Sequence, residues 1–154
     1  MSRSRPSSAR LYAVSAALLL ACNLAQRSPE EDLRQTLRAL VVAIEEKDPE
    51  AVLQRVAYAY QGDDGLGYSE IQAIVLSFLL REEPIGARLK ELTVEPAGAD
   101  SRRRVQARVL FARGVRLQHD ASAAPPSSVE YFFDLVFARD GEGWKAISGR
   151  YQRL

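Results

Sequence analysis

Between Arg104 and Gln118 apolar side chains fall on every second position: Val105, Ala107, Val109 and Phe111, then Val115 and Leu117. Arg104, Gln106 and Arg108 alternate with them. A period of two marks a strand that turns one face to a core. Fifteen residues exceeds the common strand length of about five or six, so this strand is expected to curve. Gly114, beside Arg113, is the expected bulge or bend. Three more strands are predicted around it. Ile85 to Pro96 carries Leu89, Leu92 and Val94, with a slip of phase at Lys90-Glu91. Ser128 to Ala138 places Val129, Tyr131, Phe133, Leu135 and Phe137 on one face and Phe132 and Val136 on the other. Asp140-Gly141-Glu142-Gly143 is a tight connection into the last strand, Trp144 to Tyr151.

A sheet covered on one side alternates apolar with polar residues. Leu110, Phe132, Val136 and Ile147 break that rule on the second face. That face therefore calls for a cover of its own. A second copy of the chain is one cover; the segment 118–127, with Pro125-Pro126, is the other.

Upstream of the sheet the apolar spacing changes to three and four, the period of helices. Ser28 can cap a first helix, Pro29 fits its first turn, and Glu31 sits where a capping box places it. Leu33, Leu37, Leu40, Val41 and Ile44 form its stripe, to about Lys47. Asp48-Pro49-Glu50 opens a second helix lined by Val52, Leu53, Val56 and Ala57, running to about Tyr60. Gln61 to Gly67 is a glycine-rich turn. It has neither the alternating acids of a calcium loop nor the Gly-Lys-Ser/Thr ending of a phosphate loop. Ser69, with Gln72 at the reciprocal position, caps a third helix whose stripe is Ile71, Ile74, Val75, Phe78 and Leu79. Arg81-Glu82-Glu83-Pro84 ends it. The predicted class is α+β: three N-terminal helices packed on a curved, four-stranded antiparallel sheet.

Hydrophobic residues make up 47% of the chain and charged residues 27%, the composition of a globular domain. The net charge is +1 over 154 residues, which argues against nucleic acid as a partner. Charge is distributed unevenly, with 8 basic and 14 acidic residues in 23–95 and 10 basic and 6 acidic in 96–154. The simplest account is solvated faces of opposite sign. One cysteine, Cys22, excludes an intrachain disulfide. Cys22 and the single histidine, His119, are each alone, so neither a metal ion nor any other cofactor is expected.

The first 22 residues have their own pattern. Arg3, Arg5 and Arg10 precede an uncharged apolar run, Leu11 to Leu20, too short to span a bilayer. The run closes on Leu19-Leu20-Ala21-Cys22. This order resembles a bacterial lipoprotein signal, whose lipobox ends in a small residue and then a cysteine. The resemblance implies cleavage before Cys22 and attachment of lipid to its sulfur and new amino group. Removal of the leader would leave 18 basic against 20 acidic residues. The implied organisation is a signal peptide at 1–21, a tether at 22–29 and a domain at 30–154. The implied location is the cell envelope, with the chain held by lipid at the periplasmic face of the outer membrane.

Three helices followed by four strands, closing on Asp140-Gly141-Glu142-Gly143-Trp144-Lys145-Ala146-Ile147, resembles the nuclear transport factor 2-like superfamily. That superfamily includes ketosteroid isomerases, polyketide cyclases, dehydratases (the SnoaL-like proteins among them) and many non-catalytic binding modules. Its enzymes place an acid, or a His–Asp pair, in the pocket between helices and sheet. The candidates here are His119, next to Asp120, and Asp134, which the alternation turns away from Tyr131 and Phe133. Tyr58, Tyr68, Tyr131 and Arg150 are candidates for the rim of such a pocket. The expected function is a lipid-anchored binding module for a small apolar ligand or an envelope protein, with a homodimer through the sheet as a further partner. The alternative is an isomerase or dehydratase that abstracts a proton with a pocket acid or histidine.

Overall fold

A computed structural model describes residues 28–98, 101–117 and 127–154. The leader with Cys22, and the pair His119 and Asp120, lie outside the described residues. Helix α1, Pro29–Glu45, begins where the sequence signals it. The Ser28 hydroxyl accepts from the Glu31 N–H at 3.2 Å, satisfying one of the otherwise unpaired donors of the first turn. Leu33 and Leu37, one turn apart, bury the stripe. Helix α2, Pro49–Leu53, is a five-residue turn capped by Asp48, whose carboxylate accepts from the Ala51 N–H at 2.9 Å. Helix α3, Tyr68–Leu79, starts one residue before the expected cap. The Glu70 carboxylate, not Ser69, caps it by accepting from the Gly67 N–H at 2.9 Å.

The described residues form five strands, not four: β1, Val56–Gly62; β2, Ile85–Pro96; β3, Arg102–Arg113; β4, Val129–Asp140; and β5, Gly143–Arg153. They lie in one sheet in the order β1-β5-β4-β3-β2. Pairing is antiparallel from β2 to β5, while β1 joins β5 in parallel, so the sheet is mixed. The second helix thus ends at Leu53 instead of running to Tyr60. Val56-Ala57-Tyr58-Ala59-Tyr60 sets a β-branched or aromatic residue on every second position, a pattern suited to a strand. Docking there covers what would otherwise be an open edge of β5. The Ala146 N–H donates to the Arg55 carbonyl at 2.8 Å, and the Asp63 N–H to the Gly149 carbonyl at 3.0 Å.

The long strand is also shorter than its periodicity implies. It ends at Arg113, and Gly114, at φ +76°, turns the chain in a conformation that favours glycine. Val115 and Leu117 keep the alternation in sequence but fold back over Leu110 and Ala112 on the other face of the sheet. The turn is fastened at the β2 edge, where the Glu45 carboxylate accepts from the N–H groups of both Ala87 and Leu117 at 3.1 Å. The phase slip at Lys90 is a bulge opposite Val109 and Arg108, and a second irregularity interrupts the β4–β5 ladder between Val136 and Phe137. Such irregularities bend a sheet.

Helix α1 lies over the inner face. Leu33 and Leu37 meet Val105, Ala107, Val109, Phe137, Trp144 and Ala146 there in one buried cluster. The Trp144 indole N–H donates to the Asp32 carboxylate at 3.0 Å, so the largest core side chain has its polar atom paired. No helix among the described residues is long and apolar enough to cross a membrane.

Candidate functional site: an aromatic floor and a tyrosine cleft

Away from the β4–β5 turn, the inner face passes from fully buried Phe137 to part-open aromatic residues. The register aligns Val109 with Tyr131, Ala107 with Phe133, and Phe133 with Tyr151, so aromatic rings from neighbouring strands share one surface. Phe111 lies 5.8 Å from Tyr131 and 6.4 Å from Phe133, centroid to centroid. Tyr151 lies 6.1 Å from Phe133 and 6.3 Å from Tyr131. Phe78 of α3 meets Phe111 edge-on at 5.6 Å and forms the wall. These are favourable geometries for aromatic pairs. Tyr60 is buried nearby, its hydroxyl 3.4 Å from the Gly149 carbonyl. Burial first, and the charge of Asp64 second, hold that phenol above its ordinary pKa, so it stays neutral.

The strand positions that make this floor are aromatic or aliphatic and carry no carboxylate. Asp134 occupies the opposite, outer face, 7% exposed. Arg104 grips it with two hydrogen bonds, Nε to Oδ1 at 2.7 Å and Nη2 to Oδ2 at 2.6 Å. Arg150 approaches the same carboxylate at 3.5 Å. The Arg104 hydrogen bonds lower the Asp134 pKa despite its burial. A carboxylate held ionised in a bidentate pair is a weak base. Next to it, Glu130 lies 3.0 Å from Lys90 and 2.7 Å from Arg108, so acids neutralise much of the basic outer face.

Tyr58 and Tyr68 are brought together elsewhere. Their ring centroids are 4.7 Å apart, tilted by 45°, beside an open cleft of about 430 Å³ between α2, α3, β1 and the β4–β5 turn. The four expected rim residues therefore separate. Tyr58 and Tyr68 share the cleft, Tyr131 belongs to the aromatic floor, and Arg150 stands on the outer face. By their spacing in the sequence Phe78, Phe111 and Phe133 read as core residues, and Tyr151 as the end of the last strand and not as a site residue. Their signal was present, since aromatic residues recur at the same strand parity in three segments that become neighbours. Among the described residues no group of three or more His, Cys, Asp or Glu side chains could hold a metal ion.

No protein-family profile and no curated protein matches the chain. Solved structures do. A candidate scytalone dehydratase from Novosphingobium aromaticivorans matches with a TM-score of 0.65 at 8% identity, covering 81% of this chain and 83% of that one. A nuclear transport factor 2-like protein of unknown function from Pseudomonas putida matches at 0.61 and 18% identity, covering 80% and 84%. A candidate dehydratase of the same family from Streptomyces avermitilis matches at 0.61 and 19% identity, covering 80% and 94%. Identities this low speak to the fold alone. On that evidence the chain has the nuclear transport factor 2-like α+β fold, built here on a five-stranded mixed sheet.

Proposed function

We propose that this protein is a lipid-anchored, non-catalytic binding module of the cell envelope that takes a small apolar ligand on its aromatic floor. The observation that carries the reading is the floor itself: part-buried Phe111, Tyr131 and Phe133 lie side by side with exposed Tyr151, without a carboxylate among them. Aromatic side chains left open to solvent cost hydration free energy that an apolar ligand recovers. The hydroxyls of Tyr131 and Tyr151 supply polar tips for orientation. The test is titration of the full chain with a fluorescent apolar probe such as an anilinonaphthalene. Tyr151→Ala should weaken binding about fivefold to tenfold, the worth of one aromatic contact. Tyr151 is 41% exposed, so the fold should survive its removal. Unchanged affinity in that variant would remove the floor as the site.

The anchor is part of the same proposal. Cys22 follows the charged and apolar leader at the position of lipid attachment. Each acyl CH₂ buried in lipid contributes about 0.8 kcal/mol, so several chains hold a small domain at a membrane. Cys22→Ala should move the protein from the membrane to the soluble fraction after fractionation of cells. Equal membrane recovery of the two forms would reject the lipid anchor. A second copy is proposed as the cover for the outer face, where Phe132 and Val136 stay part-open beside the Arg104–Asp134 pair. Light scattering should then give twice the mass of one chain.

The second reading is an isomerase or dehydratase. Its support is the fold shared with candidate dehydratases. With Asp134 engaged on the outer face, this reading depends on His119 beside Asp120. A proton magnetic resonance titration separates the two readings. A ligand that moves the His119 ring-proton resonances favours the enzyme; an indifferent His119 favours the binding module.

A further inference from the structure

We propose that the Tyr58–Tyr68 cleft is a separate binding site for a neutral glycan, a short run of pyranose rings stacked on the two tyrosines. The first observation is the shape of β1. Val56 is aligned with Ala146 and Gln61 with Ser148, so five steps along β1 are matched by two along β5. The surplus residues arch away from the ladder, and Tyr58 within the arch is 85% exposed. An arch forgoes regular pairing, and its product here is a tyrosine ring held in water.

The second observation is what holds that ring. Tyr68 is the first residue of α3, anchored by a capped helix end. Its ring centroid is 4.7 Å from that of Tyr58 at 45°, so each ring limits the other's motion and two oblique faces remain. The cleft beside them, about 430 Å³, falls in the range of about 300–1,000 Å³ common for ligand sites. Leu53 and Leu76 line its apolar part, and Gln54, Gln72 and Glu50 its polar part.

These groups match a sugar better than the other ligand classes. A pyranose presents an apolar C–H face to an aromatic ring, while its hydroxyls need partners that both donate and accept. Glutamine amides do both, and a carboxylate accepts from two hydroxyls. A phosphate or carboxylate ligand would need a free cation. The cleft's cation, Lys145, is engaged by Asp140 at 3.3 Å and by Glu142. The cleft is open and leaves much of its occupant in water, as a hydrophilic oligomer tolerates. The site is distinct from the aromatic floor, and its test does not depend on the apolar ligand proposed above.

The experiment is amide chemical-shift mapping on the full chain with chitotriose and cellotriose as probes. Saturable shifts are expected at Gln54, Gln72 and the segment from Tyr58 to Tyr68. Tyr58→Ala should weaken binding by about tenfold or more, and Gln72→Ala by about threefold to tenfold. Both side chains are exposed, so the melting temperature should hold. Tyr151→Ala, on the floor, should leave trisaccharide affinity unchanged. Gln72→Ala decides the matter should Tyr58→Ala unfold. The proposal is overturned if neither sugar shifts these amides at about 10 mM, well above the dissociation constants of ordinary open sites. It is equally overturned if Gln72→Ala binds like the parent, or if tetramethylammonium shifts the same amides and the sugars do not, the signature of a cation cage.

Discussion

Asp134 is an acid the sheet keeps charged. Arg104 donates two hydrogen bonds to its carboxylate, so the folded chain binds that proton less tightly than the unfolded chain does. The stabilisation is complete above the unfolded pKa of about 3.9 and is lost as pH falls through the lower folded value. Urea midpoints should therefore drop on acidification below about pH 4, and Asp134→Asn should flatten that part of the profile. A parallel profile in the variant would show that the pair carries none of the acid sensitivity. Gly149 is the other sensitive residue. It sits at φ +147°, and a Cβ there would lie 2.4 Å from the Asp134 carbonyl oxygen. Strand β4 blocks the side chain and the backbone angle disfavours it, so Gly149→Ala should cost about 3 kcal/mol or more in denaturant unfolding.

At the scale of elements, α1 shows how a stripe becomes a core. Leu33 is fully buried against the sheet, while Val42 on the same helix is 47% exposed. Leu33→Ala should cost about 2–5 kcal/mol by cavity formation, and Val42→Ala within about 0.5 kcal/mol. Similar costs for the two would contradict the described face of α1. The Ser28 cap should be worth about 1 kcal/mol, read as the loss on Ser28→Ala. This helix was legible because its cap, proline and apolar spacing agree with one another. Strand β1 was not. Val52, Leu53, Val56 and Ala57 fit a helical spacing as well as Val56, Tyr58 and Tyr60 fit a strand. Short apolar runs satisfy both periods, and only the open edge of β5 decides between them. The same holds for residues 114–117, whose alternation continues that of β3 although Gly114 sends them to the opposite face.

At the scale of the molecule, the sheet separates three chemistries: an aromatic floor inside, an arginine–carboxylate network outside, and a tyrosine cleft at the β1 end. The alternation of β3 and β4, the helix starts and the hairpin turn are local facts, written in residues a few positions apart. The sequence by itself therefore determined that the later part of the chain holds a long strand and an aromatic-rich one, that helices precede them, and that Asp134 turns away from Phe133. Which tyrosines meet, where β1 docks, how far β3 runs and which arginine holds Asp134 were decided by the tertiary structure. Those outcomes join residues far apart in the chain. Tyr60 and Gly149, for example, are 89 positions apart. Strand pairing obeys the unfilled edges and faces of the assembled sheet, which no window of sequence contains.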